Sequence, residues 1–109
     1  ERLGAHLMAR LREVQRDFAC MGDVRGRGLM VGVELVCTAP GQARVPAGDG
    51  ALAKAVQQQC LREGVILELG GRHGAVVRFL PPLTISAEEI DVLVEKFQHC
   101  LSSVVASTH

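Results

Sequence analysis

Arg78 stands among apolar neighbours in the run Val76-Val77-Arg78-Phe79-Leu80-Pro81-Pro82-Leu83. A guanidinium does not lose its proton in a protein, so in a strand-forming run it must meet a carboxylate, a phosphate, backbone carbonyls or water. Its planar fork of N–H groups matches a carboxylate in bidentate fashion, which makes Arg78 a candidate holder of a small organic acid. The competing reading is a solvated arginine or one paired within the fold, the commoner condition at a strand end. Pro81 and Pro82 offer no N–H and fix their own φ, so the ladder stops there and Arg78 is placed near a strand end.

Other residues with chemical potential carry weaker signals. His73 lies in the turn Gly70-Gly71-Arg72-His73-Gly74, where an imidazole can orient a carboxylate or move a proton near neutral pH, though a loop-tip histidine is usually only exposed. Arg25 and Arg27 flank Gly26 and could meet a phosphate or a subunit partner; nothing in their spacing decides it. The glycines around them do not form a phosphate cradle, because such a loop leads from a strand into a helix N-terminus, and this one leads into a second strand. Glu88, Glu89 and Asp91 crowd a helix start, where the macrodipole accounts for them. Lys54 and Lys96 are the only lysines, both at outer or flanking helix positions. His6, His99 and His109 form no metal-binding spacing with each other or with the cysteines.

The elements that must position Arg78 follow from periodicity. Leu3, Leu7, Leu11, Val14 and Phe18 form one stripe of a helix over about residues 2–18. Residues 23–36 read as two short extended pieces split at Gly26-Arg27-Gly28, and residues 37–49 as a surface excursion. A helix capped by Asp49 turns Leu52, Ala55, Val56 and Cys60 inward and stops at Gly64. Val65 to Leu69 predicts a strand, turned by the glycine-rich segment into the Arg78 strand as an antiparallel hairpin. Alternation then places Val77 and Phe79 on one face and Val76, Arg78 and Leu80 on the other. Ser86-Ala87-Glu88-Glu89 is a capping box opening a last helix with Ile90, Leu93, Val94, Phe97, Leu101 and Val104 inward, expected to fray from Ser102. The order α-β-β-α-β-β-α predicts an α+β, two-layer domain: an antiparallel sheet with helices covering one face.

Composition bounds the function. Hydrophobic residues are 48% of the 109 against 22% charged, a balance that builds one globular core rather than a disordered chain. Twelve basic and twelve acidic residues cancel, which argues against a nucleic-acid or anionic-membrane surface. Phenylalanine is the only aromatic type, so base-stacking platforms are unsupported as well. Cys20, Cys37, Cys60 and Cys100 are widely separated and read as reduced, partly buried thiols, pointing to the cytoplasm. No membrane span or targeting segment is visible, and the chain starts at Glu1 already inside a helical pattern, so it reads as a fragment.

Three blocks in order, Arg25-Gly26-Arg27-Gly28-Leu29-Met30-Val31-Gly32-Val33-Glu34, Gly64-Val65-Ile66-Leu67 and Arg78 to Ile85, resemble the C-terminal segment of class III pyridoxal-phosphate aminotransferases. Gly70 to Gly74 narrows the likeness to the 2,4-diaminobutyrate:2-oxoglutarate branch. The resemblance implies that residues 1–109 are the C-terminal small domain, whose cofactor-binding large domain is absent. It implies further that Arg78 binds the α-carboxylate of the amino-acid or oxo-acid substrate, and that the partners are the large domain and a second copy in a homodimer. Pyridoxal phosphate belongs to the full-length parent. None is expected on this chain alone, since neither lysine matches the one that attaches the cofactor. The alternative is a free-standing α+β module that binds a small acid or another protein.

Overall fold

A computed structural model describes residues 2–36 and 48–108. The leucine stripe forms helix α1, Arg2–Gln15, with Leu7, Leu11 and Val14 buried. It is shorter than the expected span to Phe18. Three bonds from residues 16, 17 and 18 to the carbonyls three positions back tighten its end, and Phe18 packs against the core from beyond the helix.

Strands β1 (Met21–Arg27) and β2 (Met30–Leu35) pair antiparallel. The expected split at Gly26-Arg27-Gly28 is corrected. Gly26 and Arg27 continue the ladder opposite Val31 and Met30, and only Gly28, at φ 59°, takes a left-handed turn position. An irregularity in the register falls at Gly22 instead. Residues 37–47, most of the predicted excursion, lie outside the described residues; Val36 bridges Gly48 on their far side.

Helix α2 (Gly50–Arg62) begins as the sequence predicts, with Asp49 Oδ1 accepting from the Leu52 N–H at 3.0 Å. Its end is a Schellman closure: Gly64 N–H donates to the Leu61 carbonyl and Val65 N–H to the Cys60 carbonyl, made possible by Gly64 at φ 88°. That closure also explains why strand β3 is only Glu68–Gly70 rather than starting at Val65. Val65 directs its N–H to the helix, and the Leu67 carbonyl accepts from Gln57 Nε2 at 3.0 Å, so these residues pack as an extension of α2.

Strand β4 (Val76–Phe79) pairs antiparallel with both β3 and β2, giving the sheet order β1-β2-β4-β3. It ends before the two prolines. The capping box of helix α3 (Ala87–Thr108) is formed reciprocally, with Glu89 N–H on Ser86 Oγ at 3.1 Å and Ser86 N–H on Glu89 Oε1 at 2.8 Å. The expected fraying from Ser102 is not found. Buried Leu101 and Val104, with Val105 packed beside them, extend the apolar stripe far enough to hold the last turns.

The helices cover one face of the sheet, and Val24, Val31, Val33, Val77 and Phe79 all point into the layer between. Phe79 meets Phe97 of α3 edge to face, with ring centroids 5.1 Å apart. At the rim, Asp91 of α3 binds His6 Nε2 at 2.8 Å and Arg10 Nε at 3.0 Å, tying α1 to α3. Removing the Phe97 ring, which is fully buried, should cost about 3–5 kcal/mol, a large share of a small domain's stability. Phe97→Ala is therefore expected to lower the thermal midpoint by roughly 12 °C or more. Val92→Ala, on the exposed side of the same helix, should shift it by only a few degrees in the same melting experiment.

Candidate functional site

The face of the sheet that no helix covers carries the polar residues, and the register arranges them in rows. Arg25 lies opposite Gly32, Gly32 opposite Arg78, and Arg78 opposite Glu68. The neighbouring row runs Asp23, Glu34, Val76, Gly70. Where Gly32 contributes no side chain, a shallow depression of about 270 Å³ opens, lined by Asp23, Arg25, Gly32, Glu34, Gly71 and Val76.

Arg78 therefore stands on the open face, as alternation predicts, with its side chain 41% exposed. This corrects the picture of a guanidinium buried among apolar neighbours: Val77 and Phe79 face the core, and the arginine between them faces away. One carboxylate approaches it, Glu68 Oε1 at 3.5 Å from Nη1. That is longer than a charge-assisted hydrogen bond and involves one nitrogen, so the fork is not occupied in bidentate fashion. Beneath it lies Gly70. A Cβ built there would fall 2.4 Å from Arg78 Cζ and 2.5–2.6 Å from Nη1 and Nη2, closer than any side chain allows. Glycine is the residue that lets the guanidinium lie against the β3 backbone.

The other candidates separate from this site or remain peripheral to it. His73 is exposed at the turn in a left-handed conformation, φ 63°, and its carbonyl abuts Gly50 at the start of α2. Arg25 is paired with Asp23 of its own strand and borders the depression; Arg27 is exposed. Glu68 and Gly70 were not legible as Arg78's surroundings. The signal that would have found them is the hairpin register, which depends on how many residues the glycine-rich turn takes up.

Neither lysine, the residue type that attaches pyridoxal phosphate, lies on the face that carries Arg78. Both are exposed on helices that cover the opposite face: Lys54 on α2, and Lys96 on α3 with Nζ donating to the Glu63 carbonyl at 3.4 Å. Among the described residues no group of three His, Cys, Asp or Glu is placed to hold a metal, and no helix is long and apolar enough to cross a membrane.

A profile of class-III aminotransferases matches residues 1–101. The chain belongs to that family. It is 37% identical over 97 residues to the diaminobutyrate–2-oxoglutarate aminotransferase of Haemophilus influenzae, covering 87% of this chain and 21% of that one. With the enzyme of the same name from Rhizobium meliloti it shares 43% identity over 90 residues, 81% of this chain and 19% of the relative. A transaminase solved with L-Ala superposes with a TM-score of 0.82 at 33% identity, over 99% of this chain and 24% of that structure. The chain thus spans about a fifth of the length of the curated relatives it matches.

Among the described residues the cysteines are withdrawn from solvent. Cys20, Cys60 and Cys100 are free and buried, and burial pushes all three thiols up. Cys60 is shifted furthest, first by desolvation and then by the adjacent Cys100 thiol. Because the thiolate is the reactive form, raised values leave less of it at any given pH. In a Cys37→Ser variant near pH 8, Ellman's reagent is expected to react with these three cysteines only on addition of denaturant. Rapid labelling of the folded protein would show that the core opens, at α2 and α3 for Cys60 and Cys100 and beside β1 for Cys20.

Proposed function

We propose that this chain is the C-terminal, substrate-contacting domain of a pyridoxal-phosphate-dependent class III aminotransferase. In this reading the enzyme moves an amino group between 2,4-diaminobutyrate and 2-oxoglutarate, and Arg78 binds the substrate α-carboxylate. The observation that carries the reading is Arg78 itself, a guanidinium on the helix-free face, seated on Gly70 and met by one carboxylate at 3.5 Å. The names of the two diaminobutyrate relatives support the choice of donor and acceptor.

The cofactor supplies the electron sink for amino-group transfer and would be held by a part of the enzyme outside this chain. The residues here do different work. Arg78 binds and orients an acid, and the sheet carries it as a rigid support, because Phe79 beside it is locked against Phe97. Met30 and Leu80, which continue the alternation of Gly32 and Arg78, are exposed, as are Ile66 and Leu83. Apolar side chains left open around a polar site are what a domain presents to a larger one that closes over it. The rest of the enzyme and a second copy in a homodimer are the partners this reading requires.

Arg78→Lys in the enzyme that carries this chain keeps the charge but loses the planar fork. It is expected to remove about 2–4 kcal/mol of transition-state binding, a fall of roughly 30-fold to 1000-fold in kcat/KM for 2-oxoglutarate. The thermal midpoint should barely move, since an exposed ion pair such as Arg78–Glu68 contributes under about 1 kcal/mol. Normal kinetics beside a lowered midpoint would mark Arg78 as structural and remove it from the site.

A separate expectation concerns the cofactor. When the chain of residues 1–109 is mixed with pyridoxal phosphate, reduced with borohydride and mapped, neither Lys54 nor Lys96 should carry a stoichiometric adduct. Such an adduct would mean that this chain holds the cofactor itself.

A further inference from the structure

We infer that the depression beside Arg78 receives the side chain of the bound amino or oxo acid, and that Val76, its floor, sets how long that side chain can be. This rests on the assignment of Arg78 as a carboxylate-binding residue, and it adds a specificity-determining residue that does not itself hold the carboxylate.

The register places fork and depression on either side of one residue. Gly70 lies across from Val76 in the β3–β4 pair, and the Arg78 guanidinium rests over Gly70, so the fork has swung into the row of Val76. On the other side of Val76 stand Glu34, its partner on β2, and Gly32 two residues before, and there the depression of about 270 Å³ opens. Neighbouring strands lie about 4.8 Å apart, so the path from the fork over Val76 into the depression is roughly 5–10 Å. That is the reach of an acid with a few carbons beyond its carboxylate.

Val76 is held low because glycines flank it. A Cβ at Gly71 would fall 2.4 Å from Val76 Cγ2, and one at Gly32 would fall 3.0 Å from Val76 Cγ1. Its two methyl groups therefore occupy space that side chains at 71 and 32 would contest, which fixes the stiff, β-branched valine in one orientation as a half-buried apolar floor. In a 2-oxo acid the carbonyl carbon that reacts adjoins the carboxylate. With the carboxylate on the fork, the remaining carbons lie over Val76 and enter the depression. Its rim sets the preferred end of that chain: Asp23 and Glu34 stand against one arginine, Arg25, which is already paired with Asp23. The excess of one acid suits a side chain that ends neutral or cationic and repels a second carboxylate.

The test measures inhibition of the full-length holoenzyme, with 2-oxoglutarate as the varied substrate, by pyruvate, 2-oxobutyrate, 2-oxovalerate and 2-oxohexanoate. Their side chains grow by one carbon at a time while the carboxylate and carbonyl stay the same, so the ratio of inhibition constants reports on the side-chain pocket alone. Val76→Ala is expected to favour 2-oxohexanoate over pyruvate by about four- to ten-fold relative to the unaltered enzyme, the discrimination that roughly one methylene provides. Val76→Ile should move the ratio about as far the other way. Gly32→Ala brings a methyl group into the depression from β2; it should act like Val76→Ile, and it takes that variant's place if the isoleucine protein does not accumulate. Two results overturn the inference while leaving Arg78 in the site: a common factor by which all four acids weaken in the Val76 variants, as a merely structural role predicts, or a ratio that Val76→Ala leaves unchanged. Arg78→Lys should weaken all four acids together and leave their ratio alone. If Arg78→Lys binds them as the unaltered enzyme does, the assignment of Arg78 falls and this inference falls with it.

Discussion

The structure depends on the alternation of strand β4, because one strand must serve two environments at once. Phe79 is fixed in the core by its edge-to-face contact with Phe97, and Val77 is buried beside it. With those two side chains committed inward, the pleat leaves Arg78 no choice but the opposite face. A one-residue slip would put the guanidinium into a core where, among the described residues, none of the buried side chains is polar or charged. That penalty, several kcal/mol for an unpaired ion, enforces the register more strongly than any local preference of β4.

The same constraint gives the sheet two unlike faces. Stability resides on the helix side, where α1 and α3 are joined by the Asp91 contacts and α2 is closed by the Gly64 cap onto Val65. The other side carries Arg78 and Glu68 with exposed Met30 and Leu80, and Gly32 and Gly70 leave space there on either side of Arg78. Side chains of the open face can therefore change without disturbing the core.

The site is incomplete in an instructive way. It offers an arginine, a neighbouring carboxylate and a shallow depression on the open face, while both lysines lie on helices that cover the other face. The chain belongs to the class-III aminotransferases and spans about a fifth of the length of the curated relatives it matches.

Much of this was determined by the sequence itself. The helical stripes, the Asp49 and Ser86 caps, the stop at Gly64 and the in-out parity of Val77, Arg78 and Phe79 are local patterns, each encoded within a few residues of where it acts. What only the tertiary structure decided is non-local. Whether Val65 to Leu67 joins a strand depended on α2 taking up their backbone groups, and whether the last helix frays after Ser102 depended on Val104 finding the core. The strand order that puts Gly32 beside Arg78, and the register that sets Glu68 across from it, come from pairing between segments over thirty residues apart in one case and from the residues consumed by a turn in the other. An arginine's chemical type can be read from a sequence, but its partner is chosen by distances that exist only once the strands have paired.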